Sequence, residues 1–299
     1  PPRHALDRMR DRIVRALMRR AVRPQLRRLN ELRASLDLPP LASHEDLFLR
    51  PPHLLYRTAP PFDYPRAAWP LTVHPIGPGL WAPESDAPAW LEALPRPRTL
   101  VGVSTELQQD GAIVETALRA LADEPGSVVV TTAALDPDRF EAPNDRVRIE
   151  RFVPHAAVVP EMDVVVTHGG MGTTQRALAA GVPVCVVPWG RDQAEVARRV
   201  QVSGAGTMLP RARLTPERLR AAVHEARTRA PAAKRIARAF RAAGGAERAV
   251  ALIEGWLRTG PTEGRAPGDE DPAPVATRRS REVQALPTRT RQRSGPSSR

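Results

Sequence analysis

The chain has 299 residues with a formal net charge of +12, and 41% of its residues are hydrophobic. This length suffices for one large domain or two small domains with hydrophobic cores. The positive charge comes from Arg, since Lys234 is the only Lys, and no recognition helix, zinc finger or aromatic platform accompanies it, so we expect no nucleic-acid partner.

Cysteine content and hydropathy narrow the class of protein further. The single Cys, Cys185, lies within an apolar run, which excludes a disulfide framework and a Cys-based metal site and favours a reducing compartment. No apolar stretch approaches the roughly 20 residues of a membrane span, and no signal peptide is visible. We therefore expect a cytoplasmic protein without an integral membrane span.

Residues 3–36 are predicted to be helical and rich in Arg. Pro24 should kink or divide this helix, because proline lacks the amide hydrogen of a helical bond. The basic face is typical of a solvated surface, with contact to anionic lipid as the alternative. The apolar positions at helical spacing are Leu6, Met9, Ile13, Leu17, Val22, Leu26, Leu29, Leu32 and Leu36.

Residues 39–97 are dense in Pro and contain one convincing strand, at residues 54–56. Pro at this density stiffens a connection and is not expected inside a sheet. His53 and His74 lie here without a partner at metal-ligand spacing, so we expect solvated or structural roles for them.

From Thr99 onward, short apolar runs alternate with helical patterns. This alternation predicts an α/β fold with a doubly wound parallel, Rossmann-like sheet whose βα turns share one edge. Strands are predicted over residues 100–104, 127–132, 147–152, 164–167, 184–187 and 206–209. Helices are predicted over residues 112–122, 192–202, 215–228, 232–242 and 246–257, with another around residues 176–178.

A glycine-rich turn, HGGMGTT at residues 168–174, joins a β-branched strand to the helix that stops at Gly181-Val182-Pro183. Glycines let backbone amides approach a ligand closely, and a helix N-terminus attracts anions. The turn therefore predicts a phosphate cradle made by the amides of Gly169, Gly170, Gly172 and Thr173. Asp192 and Gln193 follow the next strand, which places them at the same edge of the sheet.

His168-Gly169-Gly170, the Gly181-Val182-Pro183 break and Asp192-Gln193, in this order and spacing, resemble the nucleotide-sugar signature of GT-B glycosyltransferases. The closest likeness is to the UDP-glycosyltransferase superfamily, including bacterial macrolide-type enzymes, and it covers roughly residues 25–258. Such enzymes carry an acceptor domain upstream, so the resemblance implies that this chain is mainly the donor-binding, C-terminal half of a GT-B fold.

The resemblance implies a division into four segments. Residues 1–38 correspond to a helical remnant of the acceptor domain, part of whose apolar face has lost its partner. Residues 39–97 correspond to a Pro-rich segment and interdomain linker, and residues 98–258 to the donor domain. Residues 259–299 have almost no apolar content and are predicted to be disordered.

The resemblance also assigns the site residues. The diphosphate would contact the cradle amides, and His168 would meet the diphosphate or the attached sugar, with a His that caps the turn as the alternative. Ser104 and Thr105 are candidates for hydroxyl contacts with the same phosphates, with a plain helix N-cap as the alternative. The pyrimidine base would meet Phe152 and the backbone of Val153, with Phe152 as a core residue being the alternative. The sugar-binding residues would be Asp192 and Gln193, for which a helix N-cap is the simpler interpretation.

Two departures from the family pattern affect the expected chemistry. Many relatives place a Glu eight residues after the motif His to hold the ribose hydroxyls, whereas this chain has Arg176, which cannot accept a hydrogen bond. A dTDP-sugar is therefore as credible a donor as a UDP-sugar. No residue matches the His that serves as catalytic base in the acceptor domain, so no base is assigned.

We expect a glycosyltransferase that moves a hexose from a UDP- or dTDP-sugar, with inversion, to a small hydrophobic molecule or lipid. No metal or other cofactor is expected, since fixed amides and a helix end can stabilise the leaving diphosphate. This chain alone should bind the donor without transferring sugar. The alternative is a non-catalytic nucleotide-sugar-binding fragment or scaffold. The acceptor and the oligomeric state stay open.

Other enzyme classes are disfavoured by the same residues. A dinucleotide dehydrogenase would need Gly-x-Gly-x-x-Gly after the first strand of the sheet, and the turn around Gly170 lacks the third Gly and comes late. Asp136-Pro137-Asp138 is a formal Asp-x-Asp metal motif, but it lies in a Pro-containing loop and is predicted to be a polar turn. His224-Glu225 lacks the second His of a zinc helix.

Overall fold

The computed structural model describes residues 4–49, 51–64, 66, 69–106 and 108–259. The predicted disordered tail, apart from Thr259, lies outside the described residues. The α-helices are α1 (Ala5–Ala34), α2 (Asp46–Leu49), α3 (Trp90–Ala93), α4 (Gly111–Leu121), α5 (His155–Val158), α6 (Met171–Ala179), α7 (Gln193–Ser203), α8 (Pro216–Arg227), α9 (Ala230–Ala243) and α10 (Gly245–Thr259). The strands are β1 (Leu54–Tyr56), β2 (Val73–Pro75), β3 (Arg98–Gly102), β4 (Ser127–Thr131), β5 (Val147–Glu150), β6 (Val164–Thr167), β7 (Val184–Val186) and β8 (Gly206–Met208).

The main sheet has six parallel strands in the order β5-β4-β3-β6-β7-β8. The predicted doubly wound, Rossmann-like α/β fold is confirmed. Chain order reverses between the neighbouring strands β3 and β6, which makes their carboxyl ends the topological switch point where open sheets bind ligands. The loops after β3 and β6 begin at residues 103 and 168, so the predicted site residues Ser104, Thr105 and His168 follow these two strands.

Two hydrophobic cores cover the two faces of this sheet. Consecutive strand residues alternate between them: Leu100 and Val165 belong to one core and Val101 and Val166 to the other. Helices α6, α7 and α9 pack their apolar residues into the first core, whereas α4 and α8 pack into the second. Because both faces are covered, β3, β4, β6 and β7 are buried throughout and read as apolar, β-branched runs.

The predicted elements of this domain all form, and their ends agree with the prediction to within a few residues. β3 lies two residues earlier than predicted at both ends, and β5 ends at Glu150 rather than Phe152. Phe152 has left the sheet and is 78% exposed, so its interpretation as a core residue is wrong. Helix α6 stops where expected, because Gly181 takes a left-handed conformation with φ of +78°.

Helix α1 is continuous through Pro24, so of the two predicted effects, a kink or a division, the division does not occur. Pro24 removes one backbone donor, and on an exposed helix water can bond the carbonyl that this donor would have met. None of the residues of α1 is buried, and Leu6 and Leu17 are 74% and 62% exposed. The side-chain amide of Asn30 anchors the chain that follows by bonding the N–H and the carbonyl of Leu41.

The Pro-rich segment contains more order than a linker. Strand β1 pairs in parallel with β2, and Pro75 pairs with Tyr56, so the expectation that Pro stays out of sheets fails here. A two-stranded sheet consists only of edges, and Pro75 ends its strand, so its missing donor costs little. The segment also packs on the sheet domain: Phe62 is fully buried and meets Phe240 edge to face at 5.9 Å.

The two histidines of this segment lie near one tryptophan. His53 stacks on Trp256 with ring centroids 3.6 Å apart, and His74 lies 5.2 Å from the same ring. This packing supports structural roles for both.

Candidate functional site

A cavity of about 660 Å³ opens at the carboxyl edge of the sheet, beside the switch point between β3 and β6. Its volume lies within the range of about 300–1,000 Å³ that small-molecule sites occupy. Four separate segments contribute its walls: the glycine-rich turn after β6, the loop after β3, the loop after β5, and part of the Pro-rich segment. The lining residues are Trp81, Ala82, Pro83, Ser85, Val103, Thr105, Phe152, Pro154, His155, Ala156, His168, Gly170, Gly172, Thr173 and Arg176.

His168 begins the glycine-rich turn and lines the cavity while being only 8% exposed. Burial lowers the pKa of its imidazole, against the opposing effect of the Asp110 carboxylate, so the ring is neutral at neutral pH. Its Nδ1 atom is buried and has no hydrogen-bond partner among the described residues. The Gly102 backbone also acts as a hydrogen-bonding partner of the imidazole, which opposes the effect of burial on its pKa.

The turn delivers free backbone donors to the cavity. The first helical bond of α6 runs from the Thr174 N–H to the Gly170 carbonyl at 3.0 Å, so the N–H groups of residues 171–173 have no acceptor within the helix. Of the predicted cradle amides, that of Gly169 is already engaged, because it donates to Thr167 Oγ1. Met171, which the sequence analysis did not single out, adds an N–H by its position in the first turn.

The two predicted hydroxyl groups in the loop after β3, those of Ser104 and Thr105, lie in different environments. Thr105 is exposed and lines the cavity. Ser104 is buried, and its Oγ accepts the Glu106 N–H at 3.1 Å within the loop, so it caps no helix and does not line the cavity. The buried carboxylate of Asp110 holds this loop by accepting the Ser104 N–H and a hydrogen from the Gln108 side chain.

The segment after β5 forms another wall. Phe152 presents an exposed ring to the cavity, while Val153 beside it is buried at 2% exposure and can offer only its backbone. His155 also lines the cavity, and its Nε2 lies 3.3 Å from Thr131 Oγ1. Burial lowers the pKa of His155, and the Arg176 guanidinium adds to that effect.

The structure does not bring Asp192 and Gln193 into the lining of this cavity. Asp192 is exposed and occupies the N-cap position of α7, but its side chain makes no cap bond. Gln193 is buried, and its Oε1 accepts the N–H groups of Trp189 and Gly190 at 2.8 and 2.9 Å. Its side chain therefore fixes the conformation of the loop after β7.

Two side-chain pairs connect the loop after β3 with the loop after β7. Gln193 Nε2 donates to Gln108 Oε1 at 3.0 Å, and the Arg191 guanidinium pairs with the Glu106 carboxylate. Arg191 holds a left-handed backbone with φ of +54°. These pairs fix the two loops on either side of the β6 turn relative to each other.

Sequence reasoning missed the wall made by residues 81–85 and the place of Arg176. The Arg176 side chain lines the cavity and donates from Nη2 to the Trp81 carbonyl at 3.3 Å. The sequence did not single out Trp81, since Trp69 and Trp90 lie in the same Pro-rich stretch. Among the described residues, no group of three or more His, Cys, Asp and Glu side chains could hold a metal ion. Over the same residues, none of the helices is both long and apolar enough to cross a membrane.

Comparison with protein families matches residues 115–249 to the C-terminal domain of the erythromycin biosynthesis protein CIII-like family. The chain is 37% identical over 268 residues to the 4′-demethylrebeccamycin synthase of Lentzea aerocolonigenes, covering 86% of this chain and 63% of that protein. It is 34% identical over 168 residues to a PGL/p-HBAD biosynthesis glycosyltransferase of Mycobacterium tuberculosis, covering 55% of this chain and 39% of that protein. The chain thus spans less than two thirds of the length of either relative.

Solved structures show the same relationship. The glycotransferase of kitacinnamycin superposes with a TM-score of 0.66 at 28% identity, covering 83% of this chain and 67% of that one. The glycosyltransferase VinC, solved in complex with dTDP, superposes with a TM-score of 0.58 at 27% identity, covering 70% of this chain and 53% of that one. Sheet order, turn chemistry and these likenesses agree in supporting a member of the UDP-glycosyltransferase superfamily with a GT-B fold, and the family match to a C-terminal domain covers residues 115–249.

Proposed function

We propose that this chain binds the nucleotide-sugar donor in a glycosyl transfer from a UDP- or dTDP-hexose to a small hydrophobic acceptor, with inversion at the sugar. One observation carries the proposal: the glycine-rich turn opens into a cavity at the switch point of the sheet, and His168 lines that cavity beside the turn. Anionic ligands of open α/β sheets bind in such a position.

The turn suits a leaving diphosphate. In this reaction an acceptor hydroxyl attacks the anomeric carbon while the bond to the diphosphate breaks, so negative charge develops on the phosphate oxygens. The amides of Gly170, Met171, Gly172 and Thr173 and the positive end of the α6 dipole stabilise that charge without reorganising. Thr105 adds a hydroxyl from the neighbouring loop.

His168 acts in this proposal as a neutral hydrogen-bond donor. A neutral imidazole carries one N–H, and the lowered pKa keeps the ring in that form at neutral pH. It bonds the diphosphate or the attached sugar and does not take the acceptor's proton. No described residue is assigned as the general base, so the proposal concerns donor binding and not the whole transfer.

The sugar contact belongs mainly to Asp192. Its carboxylate is exposed at the carboxyl edge of β7, and a carboxylate reads sugar hydroxyls because it can only accept hydrogen bonds. Gln193 has one Nε2 hydrogen left after its bond to Gln108, so it can add one donor to the sugar while it supports the loop. Phe152 and the Val153 backbone take the pyrimidine base.

The choice of nucleotide follows from Arg176. Its guanidinium occupies the position of the usual ribose-binding Glu and cannot accept from a hydroxyl. We therefore expect dTDP, which lacks the 2′-hydroxyl, to bind at least as well as UDP. The presence of dTDP in VinC supports this expectation. The names of two relatives, a 4′-demethylrebeccamycin synthase and a PGL/p-HBAD biosynthesis glycosyltransferase, support a biosynthetic sugar transfer.

Isothermal titration of the purified chain with dTDP, UDP and NAD tests the proposal, with dTDP-glucose and UDP-glucose as sugar-bearing ligands. We expect binding of the pyrimidine diphosphates and none of NAD. His168→Ala should weaken every diphosphate by roughly 3- to 10-fold, the worth of one neutral hydrogen bond. Asp192→Ala should weaken only the sugar-bearing ligands, by about 10-fold. A folded chain that binds none of these ligands would overturn the proposal.

A further inference from the structure

We infer that Trp81 provides a second aromatic surface for the pyrimidine base, alongside Phe152, and that Arg176 is the positioning residue that holds Trp81 in place. The inference deepens the proposed donor-binding function and rests on it. It assigns a role in nucleotide recognition to a segment, residues 79–85, that precedes the sheet domain in the chain.

Exposure of the two rings is the first observation. Trp81 is 84% exposed and Phe152 is 78% exposed, yet both line the same cavity. Large aromatic side chains are usually covered, and an exposed pair at one cavity is unusual unless a flat ligand covers them. A nucleobase is such a ligand, because each face of its ring can stack on an aromatic side chain.

The tethering of this segment is the second observation. Arg176 donates from Nη2 to the Trp81 carbonyl at 3.3 Å. Its neighbour Gln175 donates to the Arg57 carbonyl at 2.9 Å, and Arg57 in turn donates from Nη2 to the Gly79 carbonyl at 3.2 Å. Helix α6 therefore holds the segment through two consecutive residues. Its N-terminus forms the phosphate cradle, so the helix links the diphosphate end of the cavity to the base end.

This arrangement explains what an Arg contributes at a position where many relatives have Glu. A guanidinium only donates hydrogen bonds, and a backbone carbonyl only accepts them. Arg176 thus suits the Trp81 carbonyl and cannot serve as an acceptor for ribose hydroxyls. In this site the base contact takes over part of the recognition that a ribose-binding carboxylate would give.

Titration of dTDP into Trp81 variants tests the first part of the inference. Trp81→Ala should weaken dTDP by about 10-fold, since base stacking on an aromatic ring contributes roughly that much. Trp81→Phe should restore affinity to within about 3-fold of the wild type because a ring is present again. Phe48→Ala is the matched control, because Phe48 is also an exposed aromatic residue but lies outside this cavity.

Tryptophan fluorescence gives a second readout that a loss of folding would not mimic. Stacking of the base should quench the emission of Trp81 when dTDP is added to the wild type. The quench should disappear in Trp81→Phe although dTDP still binds. Urea unfolding of each variant verifies that the fold is intact.

A double-mutant cycle tests the role of Arg176. Arg176→Met keeps the aliphatic stem and loses the donors, so it should weaken dTDP by about 5-fold, the worth of one hydrogen bond. In the Trp81→Ala background the same change should have little further effect, because the ring to be positioned is gone. An undiminished effect there would mean that Arg176 binds the nucleotide directly, and the positioning role would be wrong.

The outcomes separate the inference from the function on which it rests. If the wild type binds dTDP and Trp81→Ala binds it equally well, the Trp81 inference is overturned while the donor site stands. If the wild type binds no pyrimidine diphosphate, both fail. Weaker binding by Trp81→Ala, rescue by Trp81→Phe and a non-additive Arg176→Met effect together support the inference.

Discussion

The Gln193 side chain fixes the conformation of the loops around the site. Its Oε1 accepts two backbone N–H groups of the loop after β7, and its Nε2 reaches Gln108 in the loop after β3. The sequence analysis predicted Gln193 as a sugar-binding residue, and the geometry adds this internal role. Only the internal role contributes to the stability of the chain when no ligand is bound.

Gln193→Ala should destabilise the ligand-free chain by about 1–3 kcal/mol, because the N–H groups of Trp189 and Gly190 lose their acceptor in a partly buried loop. Urea unfolding measures this change. Gln201→Ala, on the exposed side of the same helix, is the control and should change stability little. Equal stability of the Gln193 variant and the wild type would leave sugar binding as its only role.

Two buried imidazoles make stability depend on pH. Burial lowers the pKa values of His155 and His168 in the folded chain, so the unfolded chain binds more protons in weak acid. The free energy of unfolding should therefore decrease as pH falls below about 6.5, the ordinary His pKa, and level off above it. Urea unfolding at pH 7.5 and 5.5 checks the sign. A double variant, His155→Gln with His168→Gln, should lose less stability on acidification; an unchanged loss would contradict this assignment.

At the residue scale, features formed by neighbouring residues in the sequence could be predicted, whereas contacts between distant residues could not. The order of His168, the glycines and Thr173 follows from how a strand turns into a helix, so a stretch of a few residues sufficed to predict that this turn would form. Gln108 and Gln193 are 85 positions apart, and nothing in the sequence around either residue names the other. Contacts of this kind depend on strand order and could not be predicted from the sequence.

At the scale of elements, the turn after β6 has a glycine for an unexpected reason. Gly170 has φ of −59° and ψ of 131°, a conformation open to any residue. A Cβ atom at Gly170 would lie 2.6 Å from His168 Nε2. The glycine therefore leaves room for the imidazole and does not relieve backbone strain.

Gly170→Ala should displace the His168 ring and weaken dTDP about as much as His168→Ala, with little change in stability. Gly172→Ala is the matched control, since a Cβ there meets no atom within 4 Å and Ala favours the first turn of a helix. Titration with dTDP and urea unfolding of both variants measure the two effects. Tight dTDP binding by Gly170→Ala would argue against the imidazole contact.

Element ends and short elements account for most of the differences from prediction. Helix α1 passes through Pro24 because an exposed position tolerates a missing donor. Pro75 is tolerated in β2 because it ends a strand at the edge of a two-stranded sheet. Strand β5 stops before Phe152, although an apolar pattern alone favours extending it. The pattern gives the period of an element, whereas its end depends on what the next residues contact.

At the scale of the whole molecule, Cys185 offers an internal reporter of the fold. It is fully buried in β7, between β6 and β8, and burial raises its pKa to about 11. The thiol should therefore resist a disulfide reagent at pH 8 in the native chain and react fast in urea. Spectroscopic labelling of this single Cys measures the difference. Rapid labelling without denaturant would show that the sheet opens at β7.

The whole-molecule arrangement was predictable in part. Alternating strands and helices predicted the parallel sheet and therefore the edge at which the βα turns gather. The wall from residues 81–85 was not predictable, because a Pro-rich stretch has no periodicity that fixes its path over the domain. Helix α1 likewise leaves apolar residues such as Leu6 and Leu17 exposed in this structure.

The central claim is that the first turn of α6 holds the diphosphate. The most direct measurement is the backbone amide NMR spectrum of the chain, recorded with dTDP and with thymidine. The account predicts that dTDP, unlike thymidine, causes its largest shift changes at the N–H groups of Gly170, Met171, Gly172 and Thr173. If these four amides do not respond while Cys185 remains protected from labelling, the fold is intact and the diphosphate does not bind at this turn.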